Sequence, residues 1–595
     1  MYIRLVNYID TLNQYRKTKI SNRNFLVIAA FIVGILAGCA AALLKSLCHH
    51  IESFLQEGFE WHYKYYLYLF FPMIGILLSV MYTRRFIRKG KFETGLTPVL
   101  YTISKKSSKV EPHNIYSQII TSALTVGFGG SVGIESPIVT SGAGIGSAVG
   151  RFLGLSYRET TMLLACGAAA GIAGAFNSPI AGIVFAIEIL LPEFTIPAFI
   201  PLLLSAATAA VVARLFYAEQ LFFLVTEGWA VSAIPYYVVL ALLIGCFSIY
   251  FTKINYFVKS FFYKINHPYK KVIIGGLMLG GLVFLFPTLY GEGFVTIRNL
   301  MSGNYQAIVN NSIFADYAQI PFVIILFTFV TLFAKSFATL ITLGAGGNGG
   351  VFAPSLIMGG LIGFIFAFSV NTLGLGQLSV ANFIVAGMAA AVSGVMHAPL
   401  TGLFLIAEIT GGYVLMVPLM ITSAISYFVS RSSNKYSIYT KPLAESGTLL
   451  SHEDKDSTVL NMMKLRYLVD KDFLALNEDD LIADRITEIL QSKRNVFPVW
   501  GADQSFIGLL YMDDILRVTT SKTAEQVKVK ELTQAAPDVV NIEDTLKVVL
   551  TKMETENVWI LPVMDAQANF IGFVSKTAIF NKYRDLLRRQ ADYME

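Results

Sequence analysis

Residues 168–189 read AAAGIAGAFNSPIAGIVFAIEI, and residues 388–409 read MAAAVSGVMHAPLTGLFLIAEI. At a constant offset of 220, seven of the 22 positions are identical: Ala169/Ala389, Ala170/Ala390, Gly174/Gly394, Pro179/Pro399, Gly182/Gly402, Glu188/Glu408 and Ile189/Ile409. Upstream, at an offset of 217, Gly133-Ile-Glu-Ser-Pro137 falls on Gly350-Val-Phe-Ala-Pro354, with Gly142 on Gly359 and Gly146 on Gly363. Chance similarity among Gly/Ala-rich apolar helices does not readily produce two blocks in the same order with three residues of slippage. The body of the chain is therefore expected to be two copies of one unit.

These blocks sit in a chain of 595 residues that is 54% hydrophobic and 14% charged. An average soluble chain carries about a quarter charged residues. The charges crowd into the tail, where 42 of them fall in the last 145 residues, and the net charge splits into +12 before residue 451 and −6 after it. A membrane-embedded body carrying a soluble domain fits this pattern; disordered, collagen-like and disulfide-scaffold classes do not. Apolar runs at 25–47, 67–82, 233–251, 271–288 and 318–341 read as full spans. Those at 123–150, 159–192, 344–371 and 383–411 read as too short or too broken by Gly and Pro. Residues 1–24 are polar, with Arg16, Lys17, Lys19 and Arg23, which argues against a cleavable signal peptide and for a cytoplasmic N-terminus.

Broken segments at membrane depth are tolerated where they are buried in protein or line a cavity. At matching places in two halves they point to a transport site. Gly-x-x-x-Pro at 133–137 and at 350–354 suits a chain turning sharply into a helix, since Pro fits the first turn. Helix N-termini present backbone N–H groups and the positive end of the dipole. Two of them aimed at one point make an anion site without Lys or Arg, and neither motif holds a basic residue. Gly133, Pro137, Gly350 and Pro354 are thus the candidate anion-loop positions. Glu135, between them in an apolar neighbourhood, has two low-cost states: protonated, or ionised against those N-termini. A carboxylate that competes with a permeating anion for the same N–H groups is a gate that exchanges a proton as it moves.

The tail holds a second repeat. Pro498-Val499 and Phe506-Ile507-Gly508 recur as Pro562-Val563 and Phe570-Ile571-Gly572 at an offset of 64, each copy being a strand, a turn, a second strand ending in Gly, and a helix. This resembles a pair of CBS modules, cytoplasmic and usually regulatory. In that family a Ser/Thr and an Asp three residues on hold a nucleotide. Here the first copy has Tyr511 and Asp514 and the second Ser575 and Ala578. Each keeps half the pair, which weighs against an adenine nucleotide and for a structural or dimer-stabilising module. No cofactor is expected.

The order GIESP, FNSPIAGIVFAIE, GGNGGVFAP and a Tyr in NKYSIY, with the CBS repeats behind, resembles the CLC family of chloride channels and proton-coupled chloride exchangers, from about residue 25 to 590. The resemblance implies an all-α polytopic membrane protein of two inverted repeats with broken helices, and a cytoplasmic α/β CBS pair. It implies a homodimer with one anion pathway per subunit, chloride or a similar monovalent anion as cargo, and protons as a second cargo in the exchangers. Domain limits follow: an N-terminal segment at 1–24, the transmembrane domain at 25–440, a linker at 441–467 and tandem CBS domains at 468–595. By position, Glu135 corresponds to the family's gating glutamate. Val351 and Phe352 correspond to the pair whose amides hold the central anion, and Tyr436 to the tyrosine whose hydroxyl contacts it.

Three departures bear on function. Where the family's first anion loop reads GSGIP, this chain has Thr94-Gly95-Leu96-Thr97-Pro98, leaving Gly95 and a Thr94 or Thr97 hydroxyl as substitutes and chloride selectivity less secure. The Arg that often precedes the gating Glu is Ile134 here. Where exchangers carry a second acidic residue as the inner proton acceptor, this chain has Ile189 after Glu188. Because Ile189 carries no proton, a passive, channel-like mode is favoured, with proton-coupled antiport as the alternative. Glu188 recurs as Glu408, which points to capping or structural hydrogen bonding.

Other classes fit less well. A CBS-containing divalent-cation channel calls for carboxylates along the pore, and few acidic residues lie in the apolar runs. A membrane enzyme needs a nucleophile with a base, or a metal cluster, and the seven His and four Cys form neither. Nucleic acid is not an expected partner.

Overall fold

The computed structural model describes residues 21–591 apart from 58–66, 88–91, 192–195, 218–227, 311, 313, 447, 449–459, 461–462, 493 and 520–525. Arg16, Lys17 and Lys19, on which the N-terminal orientation turned, lie outside the described residues, as does most of 447–462. The chain forms two compact units, 1–449 and 450–595.

The first unit is helical. Its elements are α1 (Asn22–Glu57), α2 (Phe71–Phe86), α3 (Thr97–Lys105), α4 (Asn114–Gly127), α5 (Glu135–Phe152), α6 (Tyr157–Phe176), α7 (Pro179–Phe185, continued by a π-turn over Ala186–Leu190), α8 (Ile196–Phe216) and α9 (Ile234–Tyr263). Then follow α10 (Pro268–Leu285), α11 (Phe294–Met301), α12 (Ala307–Asn310), α13 (Pro321–Gly344), α14 (Phe352–Thr372), α15 (Val380–Met396), α16 (Pro399–Ile409), α17 (Met416–Ser433) and α18 (Lys441–Glu445). Pro sits in the first turn of α7, α9, α10, α13 and α16, where its missing N–H costs nothing.

Among the described residues, seven helices are long and apolar enough to cross a membrane: 24–55, 157–176, 198–216, 231–263, 268–285, 321–344 and 352–372. Two of these, α6 and α14, fall in stretches the sequence read as too broken. The interruptions lie at 177–178 and 345–351, beside the helix rather than within it. The expected span at 67–82 is only the 16-residue α2, because its first apolar residues form the turn before Pro72.

The internal repeat has a backbone counterpart. Asn177 and His397, superposed by the offset of 220, both end their helix in the left-handed conformation, at φ 55° and 58°. Asn tolerates that region; His adopts it here in spite of its Cβ. Gly142 on α5 meets the carbonyl of Gly167 on α6, and Gly359 on α14 meets that of Gly387 on α15. At each site a Cβ would run into backbone. These small-residue contacts let α5/α6 and α14/α15 pack closely.

The second unit holds two three-stranded sheets, ordered β1 (Leu476–Asn477), β2 (Val496–Trp500), β3 (Phe506–Tyr511) and β4 (Val540–Asn541), β5 (Ile560–Met564), β6 (Phe570–Ser575). Pro498 pairs with Leu509 and Pro562 with Phe573, so the offset of 64 holds to the register. Gly508 and Gly572 lie within their strands rather than ending them, as the sequence suggested. The reason is close approach: the carbonyls of Gln534 and Asp470 occupy the space a Cβ would need. Met463 and Leu465 are buried in the core of the second copy with Leu561, Val563 and Val574. The last residues of the expected 441–467 linker thus belong to the second unit, and its first residues form α18.

Candidate anion site

Gly133 and Gly350 form an antiparallel bridge, donating their amides to each other's carbonyls at 3.0 and 2.7 Å. The bridge clamps together the two loops that lead into α5 and α14, so the two N-termini meet. Pro137 and Pro354 are buried in the first turns of these helices. The second loop is held from behind by Asn348. Its side-chain amide donates to Gln118 Oε1 and Thr121 Oγ1, both at 2.8 Å, and its backbone amide donates to Thr125 Oγ1 at 3.0 Å.

Glu135 opens α5 and is 2% exposed. Its carboxylate faces its own backbone amide and that of Ala353 in the first turn of α14, and neither oxygen completes a hydrogen bond. The hydroxyl of Tyr439, 6% exposed, faces the Ser136 hydroxyl and the Val351 amide, with the Glu135 carboxylate nearby. Four oxygens in this one place, two on Glu135 and one each on Ser136 and Tyr439, are buried without a partner. Each stranded polar atom costs about 1–3 kcal/mol. Their convergence between two helix N-termini therefore marks a built polar site. Two hydroxyls and several amides are donors, matched to an anion. Glu135 is the acceptor, the protein's own anion in the same place.

The structure brings Val351 and Phe352 to this point as the last residue before α14 and its first. The Phe352 ring packs on Phe176 and Phe185, with centroids at 5.8 and 6.5 Å. Tyr436 requires correction. It is half-exposed, with the Lys435 ammonium 5.6 Å from its ring, and the tyrosine at the site is Tyr439, three residues later. Thr97 also differs from expectation. Its hydroxyl donates to the Tyr439 carbonyl at 3.0 Å, so its one proton is used in anchoring the tyrosine segment and is not offered to an anion. Gly95 has φ 86° and its carbonyl accepts from Thr140 Oγ1 at 3.4 Å. Ile189 lies half-buried in the π-turn that ends α7.

Glu188 and Glu408 form reciprocal caps. Glu188 accepts from the amides of Leu400 and Thr401 at the start of α16, at 3.1 and 2.9 Å, and from Thr401 Oγ1 at 2.7 Å. Glu408 accepts from Ile180 and Ala181 at the start of α7, at 3.0 and 2.8 Å. Each repeat supplies the carboxylate for the other's helix N-terminus.

Sequence reasoning missed Tyr439, Ser136, Asn348 and Glu292. Ser136 and Asn348 lay inside the quoted motifs. Glu292 carried a signal of its own, a lone acid between two glycines in Tyr290-Gly-Glu-Gly-Phe294. Among the described residues no group of His, Cys, Asp and Glu is placed to hold a metal ion.

The family model described as "Voltage gated chloride channel" matches residues 75–431, and that of the CBS domain matches 529–585. A putative chloride channel protein ClcB-like from Ralstonia nicotianae is 31% identical over 335 residues, covering 54% of this chain and 73% of the relative. The H(+)/Cl(-) exchange transporter ClcA of Vibrio cholerae is 28% identical over 443 residues, covering 70% of this chain and 88% of the relative. Among solved structures, a slow cyanobacterial Cl-/H+ antiporter aligns with a TM-score of 0.61 at 23% identity, over 72% of this chain and 99% of its own. A eukaryotic CLC transporter aligns with a TM-score of 0.58 at 19% identity, over 94% and 99%.

Proposed function

The chain belongs to the voltage-gated chloride channel (CLC) family, and from that premise we propose that it exchanges chloride for protons across a membrane, with Glu135 as the gate. The observation that carries this reading is the position of Glu135, buried over the N-termini of both repeats. Ionised, it occupies the donors an anion needs. Protonated, it loses its attraction to the two dipoles and yields them, so release of the gate and uptake of a proton are one event.

The sequence favoured a passive mode on the ground of Ile189. The relatives named as H(+)/Cl(-) exchangers weigh towards the alternative. Under exchange, protons reach Glu135 by a route that does not use the Ile189 side chain. A homodimer with one pathway per subunit and cytoplasmic termini belong to the same proposal and rest on the family resemblance. A structural role for the CBS pair is supported by its half-kept motifs. Asp514 accepts from Gln534 Nε2 at 2.8 Å, and Ser575 Oγ accepts from the Ala578 amide at 3.1 Å, so both side chains are already engaged.

The test is proteoliposome flux, with a chloride gradient imposed and internal pH followed by a dye. Uphill proton movement driven by chloride is expected. Chloride flux without it would overturn exchange in favour of the channel mode. Glu135→Gln is expected to abolish proton coupling and pH dependence while leaving anion flux.

A further inference from the structure

Glu292 stands one residue from the gate in space and belongs to no motif used above. It lies in the turn before α11, between Gly291 and Gly293, whose φ values of 61° and 98° turn the chain sharply there. Its Oε1 accepts the amide of Ile134, the residue immediately before Glu135, at 3.1 Å. The turn that carries it is tied to the gate loop by the buried Lys335 of α13. Lys335 Nζ donates to Ser131 Oγ at 2.8 Å and to the Gly291 carbonyl at 3.0 Å. Ser131 Oγ in turn donates to the Leu289 carbonyl at 2.7 Å.

The bond from the Ile134 amide places the Glu292 carboxylate next to the gate residue, so that its charge acts on Glu135. Glu135 is buried and Glu292 half-buried. The titratable and charged groups that face Glu292 are Lys45, Cys48 and Glu52 from α1, Lys335 from α13 and Glu135 from α5. A like charge beside a buried carboxylate disfavours its ionised form.

We propose that Glu292 is a positioning residue of the gate, holding the Ile134 amide and setting, through its negative charge, the pH at which Glu135 releases the two helix N-termini. The proposal rests on the reading of Glu135 as the gate. Ionised Glu292 repels ionised Glu135 and makes it take up its proton at higher pH. Lys45 and Lys335 sustain that repulsion, because each attracts Glu292 and so favours its ionised form.

The experiment measures chloride flux against pH in proteoliposomes of the full chain. Glu292→Gln keeps an acceptor oxygen for the Ile134 amide but removes the charge. The flux midpoint is expected to move to the acid side by about one pH unit. Glu292→Asp is expected to restore the wild-type midpoint. Lys45→Gln removes a positive charge that favours ionised Glu292 and is expected to move the midpoint the same way, to the acid side, by less. In the Glu135→Gln background none of these changes should alter a flat profile. A Glu292→Gln profile that superimposes on wild type overturns the proposal, as does an Asp variant shifted as far as the Gln variant. If Glu292→Gln does not assemble, the Lys45→Gln shift decides, and its absence overturns the proposal. Failure of exchange would show instead in the wild type, as chloride flux without proton movement.

Discussion

Gly133 and Gly350 give each other both of their backbone hydrogen bonds, at 3.0 and 2.7 Å, and no side chain fits where they meet. A Cβ on Gly133 would strike the Glu135 carboxylate and lie 2.8 Å from Ala353 Cβ. One on Gly350 would lie 2.5 Å from Ser136 Oγ. Gly350→Ala is therefore expected to force α5 and α14 apart, at about 1–3 kcal/mol of overpacking strain. Chloride flux per assembled protein should fall by roughly fivefold to a hundredfold, at about 1.4 kcal/mol per factor of ten. Wild-type flux in this variant would show that the two N-termini need not meet.

The two tyrosines separate cleanly. Tyr439→Phe removes a buried hydroxyl that faces Val351 and Ser136, and is expected to change relative flux of chloride and nitrate. Tyr436→Phe alters a half-exposed ring beside Lys435 and is expected to leave both within about twofold, since isolated surface substitutions rarely exceed about 0.5 kcal/mol. Anion-substitution flux assays check the pair.

Thr97→Val removes the bond to the Tyr439 carbonyl. A neutral hydrogen bond of this kind contributes about 1 kcal/mol. The expected outcome is a several-fold change in flux with the order of anion preference unchanged, because the lost group held the tyrosine segment and not the anion. A reordered anion series would place Thr97 on the anion itself.

Glu188→Ala and Glu408→Ala each strand two amides at a helix N-terminus. Loss of a cap costs about 0.5–2 kcal/mol, and the thermal midpoint in detergent should fall for both. Chloride-driven proton movement should persist in Glu188→Ala. Its loss without loss of stability would make Glu188 a proton carrier.

In the tail, Asp479 is held below the usual carboxylate range by its hydrogen bond and charge pairing with Lys528, at 2.9 Å. The sign follows: any stability from this pair is present above the ordinary Asp range and fades as the pH falls through the lowered one. The pair is at the surface and screened by salt, so Asp479→Asn should leave the tail's thermal midpoint at neutral pH nearly unchanged. Addition of ATP or AMP to the full chain should likewise not move it.

Much of this protein was settled by its sequence. Apolar period and length fix which segments can enter a membrane, and Gly and Pro fix where the backbone must turn. The repeat alignment put Gly133 on Gly350 and Glu188 on Glu408, and these became a bridge and a pair of exchanged caps. Such features are local: a glycine's freedom or a proline's missing N–H acts wherever the chain goes. Which of Tyr436 and Tyr439 reaches the anion site was not local. They are three residues apart in one polar turn, and the choice depends on the angle at which α17 delivers that turn to α5 and α14. The role of Glu292 was hidden for the same reason. It lies 157 residues from Glu135 in the chain, and only the packing of α1, α13 and the gate loop around it brings its charge to the gate.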